Sequence, residues 1–153
     1  MADDMGYSDL GCTGSQIETP NLDRMAEEGV LFTNFYNTSR CCPSRASLLT
    51  GQYQWDSGVG HMDNDKTDLK EYQGYLNDQS MTIAEVLGAN GYQTFMSGKW
   101  HLGKERHKWP DKNGFQQFYG TPAGGGIYFY PSKFYKRDVF WNGKQMEPAS
   151  TWY

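Results

Sequence analysis

Apolar residues in this chain come in short bursts separated by polar stretches, and the rhythm of each burst predicts an element. Thr19-Pro20-Asn21-Leu22-Asp23-Arg24-Met25-Ala26-Glu27-Glu28-Gly29 reads as a helix. Thr19 is placed to cap it, Pro20 suits the first turn, and Gly29 suits a left-handed stop. Leu22, Met25 and Ala26 fall on one face at helical spacing. Residues 30–36 are rich in β-branched and aromatic side chains and predict a strand. Pro43 then opens a helix over residues 44–50, which Gly51 stops.

Residues 52–79 carry few apolar anchors and read as loop. Thr82-Ile83-Ala84-Glu85 is a capping box, and the helix it opens runs to Ala89, before Gly91. Residues 92–97 predict a short strand ending at Gly98. From Lys99 onward Gly, Pro and aromatics dominate, with Gly124-Gly125-Gly126 in the middle, which predicts long loops and one hairpin. Met1-Ala2 followed by Asp3-Asp4 reads as the end of a strand whose apolar body is cut away. Strand and helix in alternation predict an α/β fold with a largely parallel sheet.

Composition alters that picture in one respect. A 153-residue chain suggests one domain, which should hide about 68–70% of its unfolded surface. Yet mean hydropathy is -0.78, and the continuous Val/Ile/Leu runs of buried parallel strands are few and short. The expectation is therefore an N-terminal portion of a larger domain over residues 1–153, with its first strand truncated and its C-terminal part absent. A net charge of -4 gives no electrostatic footprint for nucleic acid. No apolar stretch is long enough to span a bilayer, and the acidic start does not read as a signal peptide. Cys12, Cys41 and Cys42 include no C-x-x-C pair, which argues against a zinc ribbon or a disulfide framework.

The candidate chemistry gathers at three places of one kind. Asp3-Asp4 would end the truncated strand, Cys41 to Arg45 follow the strand over residues 30–36 at a helix N-terminus, and Lys99 and His101 follow the strand over residues 92–97. Open α/β sheets bind ligands outside the carboxyl ends of their strands, so these clusters converge on one rim. A helix N-terminus favours anions, and Arg45, Lys99 and His101 add positive charge. The paired carboxylates suit a hard cation such as Ca²⁺ or Mg²⁺. Together they predict a site for a metal-bridged sulfate or phosphate ester.

At this point the sequence resembles the type I sulfatase family. Cys41-Cys42-Pro43-Ser44-Arg45 is similar to its signature Cys-x-Pro-x-Arg, continued by Ala46-Ser47-Leu48-Leu49-Thr50-Gly51. Ala2-Asp3-Asp4-Met5-Gly6-Tyr7-Ser8-Asp9-Leu10-Gly11 resembles its first metal-binding segment, and Gly98-Lys99-Trp100-His101-Leu102-Gly103 its second signature. Thr19-Pro20-Asn21-Leu22-Asp23, Gly91-Tyr92 and Gly114-Phe115 fall in the matching order.

The resemblance implies an alkaline-phosphatase-like fold, with a mixed, mostly parallel sheet and helices on both faces. It implies that Cys41 is oxidised to formylglycine by a maturation enzyme, and that the aldehyde hydrate attacks the sulfur of a small-molecule or glycan sulfate ester. Asp3, Asp4 and residue 41 would bind Ca²⁺, with Mg²⁺ an alternative. Arg45 would hold the formylglycine, Lys99 the sulfate, and His101 would serve the diol as hydrogen-bond partner or base. The family's habit implies a periplasmic or secreted location. Family members are several times longer and carry further metal ligands beyond this chain's end, so the isolated 153 residues are expected to be inactive.

Other readings compete. A phosphonate or phosphodiester hydrolase of the same superfamily shares the nucleophile. A truncated, non-catalytic remnant is the alternative from another class. A cysteine-dependent phosphatase needs a longer phosphate loop than Cys41 to Arg45 allows, and zinc binding through Cys12, Cys41, Cys42 and a histidine lacks ligand spacing. His61 and His107 read as solvated or supporting residues. Tyr128-Phe129-Tyr130, Phe134, Tyr135, Phe140 and Trp141 read as core or packing aromatics.

Overall fold

The computed structural model describes residues 1–65, 67–125 and 138–147, in two compact units, Met1–Asn37 and Thr38–Tyr153. In the first unit the predicted helix forms as α1, Pro20–Glu28. Its ends differ from expectation. The Thr19 hydroxyl makes no cap bond; it donates to Asp23 Oδ1 at 2.8 Å and accepts from the Gly11 N–H at 2.8 Å. Asp23 also accepts from the Cys12 N–H, so the polar side chains of the first turn are spent tying α1 to the 3₁₀ turn Gly11–Thr13. Gly29 stops the helix at φ -119°, ψ -142°, outside the left-handed region.

Two expected strands are absent from this unit. Met1 and Ala2 have no strand geometry, and residues 30–36 are irregular, with Val30, Phe32, Phe35 and Tyr36 exposed. Their composition suits a pleated surface, but a strand is stable only where a neighbour takes up its N–H and C=O groups. Among the described residues no strand lies beside them.

The second unit holds the buried core. Helix α2 spans Cys41–Thr50 and ends at Gly51 in the left-handed conformation, φ 68°. It starts two residues before Pro43, the expected opening. Proline is tolerated there because the first turn's N–H groups have no helical acceptor. Cys42, Pro43 and Ala46 form its buried face. Helix α3, Ile83–Ala89, carries the predicted capping box: Thr82 Oγ1 accepts from the Glu85 N–H at 3.2 Å, and Glu85 accepts from the Thr82 N–H at 2.7 Å.

The mixed sheet has the order β1 (Phe95–Lys99), β2 (Gln117–Thr121), β3 (Val139–Trp141), β4 (Lys144–Met146). β1 and β2 pair in parallel, and the hairpin β3–β4 adds antiparallel pairings. The strand expected over residues 92–97 lies later, because the Tyr92 N–H is used by the Leu87 carbonyl to close α3. Lys99 is therefore the last residue of β1. The ladder continues past it, with Trp100 N–H donating to Thr121 O at 2.9 Å and His101 N–H to Pro122 O at 3.1 Å. Residues 52–65 and 67–79 form turns and bends, as expected, with one isolated antiparallel bridge between Val59 and Tyr72.

Cys42, Ala46, Val59, Leu76, Trp100, Leu102 and Phe118 make one apolar cluster beneath α2 and the parallel pair. Each large side chain so buried contributes roughly 1.5–3 kcal/mol. Phe140 and Trp141 are packing aromatics, against Trp109 and Tyr119 respectively. Residues 128–130, 134 and 135 lie outside the described residues.

Candidate active site

Cys41 occupies the first position of α2, where the helix presents free N–H groups and the positive end of its dipole. Its Sγ lies 3.3 Å from His101 Nδ1 and 3.6 Å from Met62 Sδ. Arg45 stands one turn along α2. Its Nε donates to the Trp100 carbonyl at 2.8 Å and its Nη2 to the Lys99 carbonyl. Those two bonds fasten the start of α2 to the end of β1, which is why residues so distant in sequence meet.

His101 is buried, with a backbone φ of 60°. A non-glycine residue in that region stores about 1–3 kcal/mol of strain and persists only where its surroundings impose it. Here the backbone bond to Pro122 and the contacts of the ring impose it. Burial is the largest influence on the imidazole and lowers its pKa; the charges of Lys99 and Arg45 act in the same direction. Asp63, on the other side of the ring, acts against them without reversing the shift, and the pKa remains below the ordinary 6.5.

Asp63 escaped sequence reasoning. It is buried, with Oδ1 3.3 Å from His101 Nε2 and Oδ2 3.1 Å from Lys104 Nζ. The Lys104 contact is a charge contact without hydrogen-bond geometry, and Oδ2 has no hydrogen-bond partner. Nothing in the polar stretch around Asp63 marks it as special; the signal is purely tertiary.

The structure thus brings together Cys41, Arg45, Lys99 and His101 in the second unit. Asp3 and Asp4 lie in the first unit, exposed, with Asp4 at φ 54°. His61 pairs with Asp65 at 2.6 Å on the surface, in keeping with the solvated role expected of it.

The two adjacent cysteines differ sharply. Cys42 is fully buried, and burial above all pushes its thiol up to about 12. Cys12 is exposed and Cys41 is partly so. In unmodified protein, a thiol reagent such as iodoacetamide should therefore label Cys12 first, while Cys42 reacts only on unfolding. Peptide mapping before and after urea checks this. Labelling of Cys42 at the rate of Cys12 in native protein would contradict the buried placement.

Cys41, Cys42 and His101 are the one group of three among the described residues whose potential ligand atoms lie within 4.8 Å of one another. As two thiols and an imidazole, it is a soft donor set and does not suit Ca²⁺. Asp3 and Asp4 offer the hard oxygens that Ca²⁺ or Mg²⁺ takes, but only part of the six to eight ligands that Ca²⁺ collects.

Comparison with known proteins bears on this arrangement. The Sulfatase family model matches residues 1–145. An uncharacterised sulfatase of Schizosaccharomyces pombe is 42% identical over 136 residues, covering 84% of this chain and 24% of that protein. Human N-acetylgalactosamine-6-sulfatase is 44% identical over 128 residues, covering 80% of this chain and 24% of that protein. The crystal structure of Ps i-CgsB in complex with k-i-k-neocarrahexaose superposes with a TM-score of 0.82 at 30% identity, covering 97% of this chain and 36% of that one. The chain spans about a quarter of the curated relatives it matches.

Proposed function

The chain belongs to the sulfatase family, and from that premise we propose that it carries the nucleophile of a sulfuric ester hydrolase acting on sulfated glycans through a formylglycine made from Cys41. The observation that carries this reading is the placement of Cys41 at the N-terminus of α2, against His101 Nδ1 and one turn from Arg45. An anionic ester brought to Cys41 would meet the free N–H groups and positive end of that helix. Once matured, residue 41 supplies a hydrated aldehyde in place of a thiol, which makes it an oxygen nucleophile.

The chain's own side chains do the rest. Arg45, held by the carbonyls of Lys99 and Trp100, keeps residue 41 and the β1 terminus in register. Lys99 brings positive charge to the mouth of the site, where sulfate charge must be neutralised. His101, largely neutral near pH 7 because burial lowers its pKa, offers a ring nitrogen to residue 41 as hydrogen-bond acceptor. Asp3 and Asp4 would hold a hard divalent cation, whose contribution is to polarise the sulfate oxygens. The glycan substrate class is supported by the similarity to human N-acetylgalactosamine-6-sulfatase and to Ps i-CgsB, solved with an oligosaccharide.

The test is release of inorganic sulfate by the full-length protein, co-expressed with a formylglycine-generating enzyme. Sulfated galactose or hexosamine oligosaccharides are the expected substrates. Faster turnover of a phosphate diester than of any sulfate ester would replace this reading with the phosphodiesterase one.

A further inference from the structure

The surroundings of the His101 ring are more constrained than a simple buried histidine requires. Nδ1 faces Cys41 Sγ at 3.3 Å and Nε2 faces Asp63 Oδ1 at 3.3 Å, so both nitrogens are committed. Gly124 lies flat against the ring, where an added Cβ would stand 2.2 Å from Cε1 and Nε2. No side chain other than hydrogen fits there without moving the imidazole.

Asp63 is held as firmly. Gly74, at φ 77°, packs on its backbone, where a Cβ would come within 3.0 Å of Asp63 Cα. The Asp63 backbone N–H bonds toward the Cys42 sulfur, and the preceding residue, Met62, touches Cys41 Sγ. The acid and the histidine are thus two fixed parts, delivered by different loops 38 positions apart. Taking a carboxylate out of water costs several kcal/mol, and the 94% buried Asp63 has Oδ2 without a hydrogen bond and only half-exposed Lys104 as its cation. Mere stability does not account for it.

We propose that Asp63 is the positioning residue of the site: its Oδ1 accepts the Nε2–H of His101, which fixes the tautomer and turns an unprotonated Nδ1 toward residue 41. This rests on the functional reading above and extends it to a residue outside the recognised signatures. A neutral imidazole has one N–H and one lone pair, and the partner of one nitrogen decides which is where. An ionised carboxylate is acceptor only, so the ring must present its N–H to Asp63 and its lone pair to residue 41.

Asp63→Asn tests this. Lys104, a donor, draws the amide oxygen, which leaves the amide N–H₂ facing Nε2 and drives the ring proton to Nδ1. In the full-length matured enzyme, kcat for sulfate release should fall at least about 100-fold, with KM within about threefold; tautomer reversal in another acid–histidine pair costs about 10⁴. A merely structural role would lower the amount of folded protein and leave kcat per folded molecule unchanged. Selective ¹⁵N-histidine NMR of the wild type supplies a second measurement, with His101 assigned by His101→Gln; it should show the N–H at Nε2.

Asp63→Asn with kcat within fivefold of wild type would overturn the proposal, as would an Nδ1–H tautomer in the wild type. Should the variant fail to fold, the tautomer decides alone. These failures are distinct from failure of the functional reading, which would appear as a wild type that releases no sulfate.

Discussion

Cys41→Ala in the matured full-length protein should abolish sulfate release, with kcat down by at least about 10⁴-fold, the scale on which enzymes lose rate when a covalent nucleophile is removed. Cys42→Ala, one residue along, should leave turnover within a few-fold. The contrast follows from where α2 begins. Position 41 faces His101 and stands at the open end of the helix, whereas Cys42 points into the core with no exposed surface. Cys42→Ala removes a buried sulfur, so its cost should appear as roughly 1–2 kcal/mol of stability instead of activity. Parallel kinetics and urea titrations of the two variants separate the effects. More than 1% residual kcat in Cys41→Ala would remove Cys41 from the chemistry altogether.

Trp100→Ala should have the largest effect on folding, about 3–5 kcal/mol, the range for emptying a buried aromatic site. Trp100 is fully buried between Lys99 and His101 in sequence, and its ring meets Phe115 edge-on at 6.2 Å. Its indole N–H donates to the Lys108 carbonyl at 2.9 Å, an acceptor the variant would leave without that bond. Because its own carbonyl accepts from Arg45 Nε, movement of the backbone there would also shift the α2 start. The expected result is a urea midpoint shifted by that free energy, together with lost activity at temperatures where the variant is still folded. Trp100→Phe, which keeps an aromatic ring but loses the N–H and part of the indole's volume, should recover only part of the stability. A loss below about 1 kcal/mol for Trp100→Ala would mean that this core is not as closely packed as its burial indicates.

The elements legible in the sequence were those fixed by contacts within a few residues. The Thr82–Glu85 box and the Pro20 start are local devices, and both helices they open form as expected. Strands were harder. Residues 30–36 have strand composition and, among the described residues, no strand beside them, while β2, with Gly120 and two aromatics, has no such pattern to announce it yet pairs with β1 over its whole length. Even β1 lies later than its composition suggests, because α3 uses the Tyr92 N–H.

By itself the sequence determined which groups are candidates for the chemistry. Cys41 and Arg45 are one helical turn apart, and Lys99 and His101 close one strand, so each pair is specified by short-range geometry. Only the tertiary structure decided that the pairs meet, through the Arg45 bonds to the β1 carbonyls, and only it brought Asp63 to His101. The reason is one of range. Capping and helical spacing act over three or four residues and leave a trace in the string of letters. A buried carboxylate finds its histidine through the packing of loops, whose path depends on the whole core, and no local pattern records it.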